Sequence, residues 1–242
     1  MRVFRLYCDE SINVGSSILL EKSSNHYLTK VLRAKENQKL ILFNNSGNEY
    51  HGFVKKISNK HFDIFIENKK FIEKQKLEIE VAFSLCKNPC SDLIVQKLTE
   101  LGVNSIQPII SKNSIFKKRK IDPDKKILHW KNIAISSSEQ SERVYLPDIK
   151  EILSFEEYLD ICTFKEKIIL NTKTKKMLPK VFSSNQESCT ILVGPEGDFT
   201  DDEYTLAEQS NFSSASLGDN ILRVETAAIT AFSFIRMIYN ST

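Results

Sequence analysis

An arginine and a glutamate stand two positions apart near the end of the chain, where a turn sequence meets a helical pattern. Arg223 follows a turn at residues 218–220, and Glu225 opens a segment with apolar residues at helical spacing to about residue 239. A carboxylate is favoured at a helix N-terminus, where backbone N–H groups without helical partners also bind polar ligands. The pair therefore predicts either a polar-ligand site or a capped core helix with a surface ion pair, and the residues alone leave both open.

A second short loop, at residues 194–198, follows an apolar stretch that is typical of a buried strand. Its sequence is Gly-Pro-Glu-Gly-Asp, and the two glycines let a flat ligand approach the backbone closely. Thr200 and Glu203 have the spacing of a capping box that opens the next helix. Because such turns are common in α/β proteins, this loop indicates a site only in combination with residues 217–225.

The composition is that of an ordinary globular chain of 242 residues, with 41% hydrophobic and 27% charged residues. No apolar stretch approaches the roughly 20 residues that span a bilayer, and no signal-peptide core is visible, so we expect a cytoplasmic protein. The five cysteines and four histidines are scattered along the chain. That scatter predicts neither a disulfide nor a bound metal.

The pattern of elements changes near residue 70, which predicts two domains. Residues 1–70 contain short alternating strands around one helix at about residues 23–33, as in a small β-barrel. Residues 71–242 alternate strands with helices, which favours an α/β domain with a parallel sheet. Within this domain, residues 171–186 are polar and rich in lysine and are predicted to form a long surface loop.

Basic residues are concentrated in two stretches, although the net charge is only +3. The first covers residues 112–126 and includes Lys118 and Arg119, and the second covers residues 173–180. Runs of this kind are usually solvated loops, but they can also follow a phosphate backbone. The sequence has neither a G-x-G-x-x-G motif nor a P-loop, so Rossmann-type and P-loop sites are disfavoured.

The two loops, together with two earlier motifs in the right order, resemble the signature of the ribosomal RNA small subunit methyltransferase E family. The matching residues are Gln96, Lys97, Glu100, Leu101, Gly102, Val103, Glu139, Gln140, Ser141, Arg143, Gly194, Pro195, Glu196, Gly197, Leu217, Gly218, Ile221, Leu222, Arg223, Glu225, Thr226 and Ala227. This family belongs to the SPOUT class of RNA methyltransferases. The sequence departs from the family at Asp198, where Gly is usual, and at Val224, where Thr is usual.

The resemblance implies a fold, a cofactor and an assembly. It implies an α/β SPOUT domain with a C-terminal trefoil knot over residues 71–242, preceded by a PUA-like RNA-binding β-barrel over residues 1–70. It implies S-adenosyl-L-methionine as the cofactor, no metal, and a homodimer. The implied cofactor-binding residues are Leu170, Gly194, Glu196, Gly197, Leu217, Gly218, Ile221 and Leu222.

The reaction implied by the resemblance is methylation of N3 of a uridine in the 16S ribosomal RNA of the small ribosomal subunit. A guanidinium suits the stabilisation of charge on the uracil oxygens, so we assign this role to Arg223. Glu225 is either the general base that removes the N3 proton or a group that orients Arg223.

Six basic residues are expected to contact the RNA, although ordinary exposed surface charge is the alternative for each. They are Arg2, Arg5, Arg33, Lys118, Arg119 and Arg143. For Arg143, closing the C-terminal end of a helix is an equally good interpretation.

Two other functions remain open. A related SPOUT enzyme would methylate a ribose 2′-hydroxyl, and the chemistry of the product would distinguish it. A non-catalytic RNA-binding factor in ribosome assembly would fail to bind the cofactor.

Overall fold

The computed structural model describes residues 3–21, 35–58, 61–87, 89–115, 122–183 and 185–241. The chain forms two compact units, the first made of Met1–Lys74 with Ser138–Leu146, and the second of Gln75–Ser137 with Pro147–Thr242. The helix expected at about residues 23–33 lies outside the described residues. Within those ranges, no helix is both long and apolar enough to cross a membrane.

The first unit is built on one mixed sheet. Its strands are β1 (Phe4–Tyr7), β2 (Ser17–Glu21), β3 (Lys39–Phe43), β4 (Asn48–Ile57) and β5 (His61–Phe71). Their order is β1-β3-β4-β5-β2, with β1 and β3 parallel and the other neighbours antiparallel. Apolar side chains at alternate positions, such as Leu42, Val54 and Ile64, are fully buried in its core. The short alternating strands predicted for this region are thus confirmed.

The second unit alternates strands and helices. In chain order these are β6 (Glu78–Ser84), α1 (Cys90–Leu101), β7 (Ser105–Ile110), α2 (Pro123–Ser141), β8 (Asp148–Ile149), β9 (Leu153–Ser154), α3 (Phe155–Ile161), β10 (Glu166–Leu170), α4 (Leu178–Val181), β11 (Ser188–Val193), α5 (Asp201–Gln209), β12 (Ser213–Ala215) and α6 (Val224–Ser241). The last residues of α2, from Ser138 onward, belong to the first unit. The prediction of a long surface loop over residues 171–186 is wrong in part, because the short helix α4 lies within this stretch.

The expected parallel sheet is confirmed. Its strands are ordered β12-β10-β11-β6-β7-β8, with β9 also paired to β7, and every pairing is parallel. Helix α6 packs against α1, β6 and β11, and the fully buried Phe83, Trp130 and Phe232 belong to the core between these layers. Because the strands are parallel, their carboxyl ends lie along one edge of the sheet, and the loops that follow them meet there.

The fully buried carboxylate of Glu80, on β6, accepts hydrogen bonds from neighbouring strands of this sheet, from α3 and from the segment after β8. Its Oε2 accepts hydrogen bonds from Ser105 Oγ at 3.1 Å and from Lys150 Nζ at 2.6 Å. Its Oε1 accepts from the Tyr158 hydroxyl at 2.9 Å and lies 3.3 Å from Thr190 Oγ1. Burial, and then the charge of Glu80, raise the pKa of Tyr158 well above its ordinary value, so this hydroxyl remains a donor. The carboxylate is therefore buried with partners for both of its oxygens.

Replacement of Glu80 by alanine should destabilise the second unit strongly. The Glu80→Ala substitution leaves the buried hydroxyl of Ser105 and the ammonium of Lys150 without their acceptor. It also removes one of the two partners of the Tyr158 hydroxyl, so we expect a loss of about 3 kcal/mol in the free energy of unfolding. Glu78→Ala is the matched control, because Glu78 is exposed on the same strand and its loss should cost less than about 0.5 kcal/mol. Urea unfolding at pH 7 measures both variants, and equal losses would contradict the structural role of Glu80.

Candidate active site

A cavity of about 760 Å³ lies at the carboxyl edge of the parallel sheet. Its volume is typical of a site for a small organic ligand. Its walls come from the segments that follow β6, β10, β11 and β12 and from the start of α6. All ten residues predicted to bind the cofactor or to act in catalysis line this cavity: Leu170, Gly194, Glu196, Gly197, Leu217, Gly218, Ile221, Leu222, Arg223 and Glu225. The structure thus brings them together, while their individual roles remain predictions.

The start of α6 presents Arg223 and Glu225 to the cavity. The carbonyl oxygen of Arg223 accepts a hydrogen bond from Ala227 N at 2.8 Å, so the helix begins at Val224, one residue before the predicted start. Arg223 is exposed and Glu225 is partly buried. Arg223 lines the cavity, and within the described part of the chain no ion pair joins its side chain to that of Glu225.

Cys90, the first residue of α1, touches the carboxylate of Glu225, with 3.3 Å between Sγ and Oε2. The structure also joins Cys86 and Cys90 in a disulfide, so the expectation that no disulfide forms is wrong. The two cysteines lie on either side of the junction between β6 and α1, where the chain turns and brings them together. Only the thiol form of Cys90 can donate a hydrogen bond to Glu225, because a disulfide sulfur carries no proton.

Asp198 fixes the loop that follows β11. Its backbone has a φ of 61°, in the left-handed region that glycine adopts most easily, which accounts for the glycine that is usual here in the family that this sequence resembles. The Asp198 side chain offsets the cost of this backbone conformation with hydrogen bonds. Its Oδ1 accepts from Tyr204 Oη at 2.5 Å and from Phe199 N at 2.8 Å, and its Oδ2 accepts from Thr172 Oγ1 at 3.2 Å. The bond to Thr172 ties the loop after β11 to the loop after β10, and both loops line the cavity.

Two further side chains hold the same loop from outside the cavity. Asn113 Nδ2, in the segment after β7, donates to the carbonyl oxygens of Gly197 at 3.2 Å and Asp198 at 2.9 Å. Glu203 is fully buried and forms the predicted capping box with Thr200, while its Oε1 accepts a hydrogen bond from Lys112 N at 2.8 Å. The capping box is thus confirmed, and it also anchors the segment after β7.

The sequence did not single out the part of the wall that comes from the junction of β6 and α1. Lys87, Pro89, Cys90 and Leu93 line the cavity here, and Lys87 N donates to Glu196 Oε1 at 3.3 Å. The strand predicted at β6 could have indicated this part of the wall, because any parallel strand ends at the same edge of the sheet as its neighbours.

The chemistry of the cavity combines apolar walls with carboxylates. Leu170, Leu217 and Leu222 provide apolar surface, and Glu196 and Glu225 provide negative charge. Ile221 also lines the cavity but is 86% exposed, which places it at the mouth. Lys87 and Arg223 add positive charge, so these walls suit a ligand that has an apolar part and charged groups of either sign. Over the described ranges, no group of three or more His, Cys, Asp or Glu residues is arranged to hold a metal ion.

The residues predicted to bind RNA do not all have a described position. Arg2, Arg33, Lys118 and Arg119 lie outside the described residues. Arg5 is only 6% exposed, and its Nη1 pairs with Glu49 Oε1 at 2.7 Å, which argues against its predicted contact with RNA. Arg143 is partly buried, and its backbone N–H donates to Ser138 O at 3.1 Å beyond the end of α2, which fits the helix-closing alternative. Its side chain remains a predicted RNA contact.

Comparisons with known protein families identify both parts of the chain. A family model described as the RNA methyltransferase domain matches residues 73–236, and one described as the RNA methyltransferase PUA domain matches residues 22–67. A ribosomal RNA small subunit methyltransferase E from Buchnera aphidicola (subsp. Schizaphis graminum) is 34% identical, over 98% of this chain and 96% of that protein. The protein of the same name from Rickettsia conorii is 31% identical over 98% and 97%.

Two solved structures have the same fold along nearly the whole chain. One is the ribosomal RNA small subunit methyltransferase E from Neisseria gonorrhoeae bound to S-adenosylmethionine, with 28% identity and a TM-score of 0.90. The other, from Legionella pneumophila, is described as a methyltransferase with the bound cofactor SAM, with 28% identity and a TM-score of 0.93. Each similarity covers 98% of both chains.

The network around Asp198 predicts different effects for two substitutions at this position. Asp198→Ala removes the side-chain hydrogen bonds and leaves a non-glycine residue at positive φ, so we expect a loss of about 2 kcal/mol in the free energy of unfolding. Asp198→Gly removes the same bonds but relieves the backbone strain, so it should lose about 1 kcal/mol less than the alanine variant. Urea unfolding compares them with Asp219→Ala, an exposed control, and an alanine variant no less stable than the glycine variant would contradict the strain.

Proposed function

The chain belongs to the ribosomal RNA small subunit methyltransferase E family, and from this premise we propose that it methylates N3 of a uridine in 16S ribosomal RNA. The observation that carries the proposal is the convergence of Arg223, Glu225 and the two glycine-containing loops on one cavity. S-adenosyl-L-methionine is the cofactor, as in the solved relatives, and the chain is an RNA methyltransferase.

The fold class predicted from the sequence is confirmed by these similarities. It is the SPOUT-type α/β trefoil-knot class, with a PUA-like β-barrel before the methyltransferase domain. The division into two domains between residues 70 and 71 is part of the proposal. A cytoplasmic location is also part of it, since the ribosomal RNA substrate is found in the cytoplasm.

The cavity fits this cofactor in its shape and in its charge. The apolar side chains of Leu170, Leu217 and Leu222 suit the two faces of an adenine ring, and the backbone of the loop at residues 194–198 suits its polar edge. When bound, the cofactor supplies an electrophilic methyl group on a positively charged sulfur. The carboxylates of Glu196 and Glu225 supply the negative charge that such a cation favours.

We assign the proton transfer to Glu225 and the stabilisation of negative charge to Arg223. The guanidinium of Arg223 is exposed at the cavity, so it is available to the uracil carbonyl oxygens on either side of N3. In the part of the chain that the structure describes, Glu225 makes no ion pair with Arg223, which favours a general base over an orienting group. Since N3 lies within the base-pairing edge, the target uridine must be unpaired when it enters.

We also propose a homodimer that forms through α6. Phe232 is fully buried within its own chain, but Met237, five residues further along the helix, is 70% exposed. An exposed methionine on a core helix suits an apolar interface between two copies.

The methylation itself is tested with purified protein, S-adenosylmethionine and small ribosomal subunits that lack the modification. Mass spectrometry of the digested RNA should detect N3-methyluridine. A 2′-O-methylated nucleoside would instead identify the related ribose methyltransferase activity. Absence of both products together with absence of cofactor binding would leave the assembly-factor alternative.

Variants of the two proposed catalytic residues should each lose activity. Arg223→Ala removes a charged donor, so we expect kcat to fall about 100- to 1,000-fold. Glu225→Gln removes the base, so we expect a similar fall in kcat. Asp219→Asn is the control in the same turn, because Asp219 is exposed and does not line the cavity. A Glu225→Gln variant with the wild-type kcat would contradict the base role.

Substitution of Met237 tests the dimer. Met237→Glu places a charge in the proposed apolar interface, so analytical ultracentrifugation should show a dimer for the wild type and a monomer for the variant. Ile161→Glu is the matched control, because Ile161 is 61% exposed on α3 and its variant should remain a dimer. A dimeric Met237→Glu variant would contradict an interface at α6.

A further inference from the structure

A second cavity lies along β12, the edge strand of the parallel sheet. This edge-strand cleft has a volume of about 780 Å³ and is formed by the segment after β10, by α4 and by β12. Its lining includes Lys173, Lys176, Lys180, Phe212, Ser213 and Ser214. Within the described sheet, β12 pairs only with β10, and Ser213 and Ser214 of β12 line the cleft. The cleft is therefore mainly polar, whereas apolar residues form more of the walls of the cavity described above.

The charge of the cleft favours an anionic ligand. Three lysines line it, and Glu208 is the one acidic residue among the residues that form its described wall. Lys173 pairs with Asp201 at 2.6 Å, but both side chains are well exposed, so this pair is weak and can exchange for another anion. In the described part of the chain, the Nζ atoms of Lys176 and Lys180 form no hydrogen bond or ion pair.

The backbone that carries these lysines is held in place. Ser216, just after β12, donates its N–H to Lys176 O at 2.8 Å and accepts a bond from Leu178 N at 2.9 Å. Lys180 lies on α4, and its N–H donates to Met177 O at 2.8 Å. The two lysines thus project from a segment bonded to the edge of the sheet, which lowers the entropic cost of ligand binding.

The cleft is adjacent to the cofactor cavity. Asn171 lines both, and it is bonded to β12 through its N–H to Ala215 O at 2.9 Å and through Nδ2 to Ser214 Oγ at 3.3 Å. Successive units of one linear polymer can occupy two neighbouring cavities at the same time. A polymer with a negative charge on every unit matches the lysines of the edge-strand cleft.

We propose that the edge-strand cleft binds phosphodiester groups of the RNA substrate that flank the nucleotide entering the cofactor cavity. The inference rests on the proposed function for the identity of the polymer, while the cleft itself is defined by its own residues. Lys176 and Lys180 contact phosphates, and Ser213 and Ser214 offer hydroxyl groups to the same backbone. These contacts position the RNA and carry no sequence information.

The test compares two double variants that each lose two exposed lysines. K176Q/K180Q changes the cleft, and K131Q/K165Q changes exposed lysines that line neither cavity. Fluorescence anisotropy with a labelled, partly single-stranded fragment of small-subunit RNA should show binding about tenfold weaker for K176Q/K180Q. The plot of log affinity against log salt should become shallower by about 1.4, as expected for two lost phosphate contacts to a single strand. The control variant should stay within about twofold of the wild type.

Further measurements separate this inference from the proposed function. S-adenosylmethionine affinity should be the same in all three proteins, and in the methylation assay K176Q/K180Q should raise KM for RNA with kcat unchanged. If the wild type methylates RNA and K176Q/K180Q binds it normally, the cleft proposal is wrong and the function stands. If K176Q/K180Q loses RNA binding while the wild type yields no methylated nucleoside, the function is wrong and the cleft stands.

Inorganic phosphate serves as the competing ligand. At equal ionic strength, phosphate should displace the RNA no better than chloride, because an isolated anion gains little from two exposed lysines. Strong displacement by phosphate from the wild type and from K131Q/K165Q, but not from K176Q/K180Q, would identify a site for free phosphate and overturn the assignment to RNA.

Discussion

Parallel pairing of β12, β10, β11 and β6 is the constraint on which the candidate active site depends. Because these neighbours run in the same direction, their carboxyl ends lie along one edge, and residues far apart in the sequence meet there. Helix α6 completes the cavity, since it packs on α1, β6 and β11 and begins at the same edge. The sheet thus determines where the site lies, and the loops that follow its strands form the walls.

The loops are refined by side chains that lie outside or at the rim of the cavity. Asp198, Asn113 and Glu203 form bonds that fix the segment after β11 relative to the segments after β7 and β10. Asp198 is also a departure from the family signature, and the structure shows why the chain tolerates it. A glycine obtains the left-handed conformation without strain, whereas an aspartate holds it through bonds of its own side chain.

Much of this fold and site follows from local patterns in the sequence. Helical spacing, alternation and the capping box at Thr200 predict α6, the strands and the start of α5, because each depends on neighbouring residues. The burial of Arg5 against Glu49 and the two bonds of Asn113 were not predicted. They depend on partners more than forty positions away, and no local pattern reports such partners. The disulfide of Cys86 was missed for a different reason, since its partner is close but its geometry depends on the turn before α1.

The buried carboxylate of Glu80 has a consequence for how this protein can change during evolution. Its donors come from β7, α3, β11 and the segment after β8, so a substitution of Glu80 itself affects four segments at once. An apolar set of similar volume can replace such a group without loss, but a first step that removes Glu80 leaves the buried hydroxyl of Ser105 without an acceptor. These positions should therefore be inherited together, and descendants of this chain should keep the whole group or exchange it as a whole.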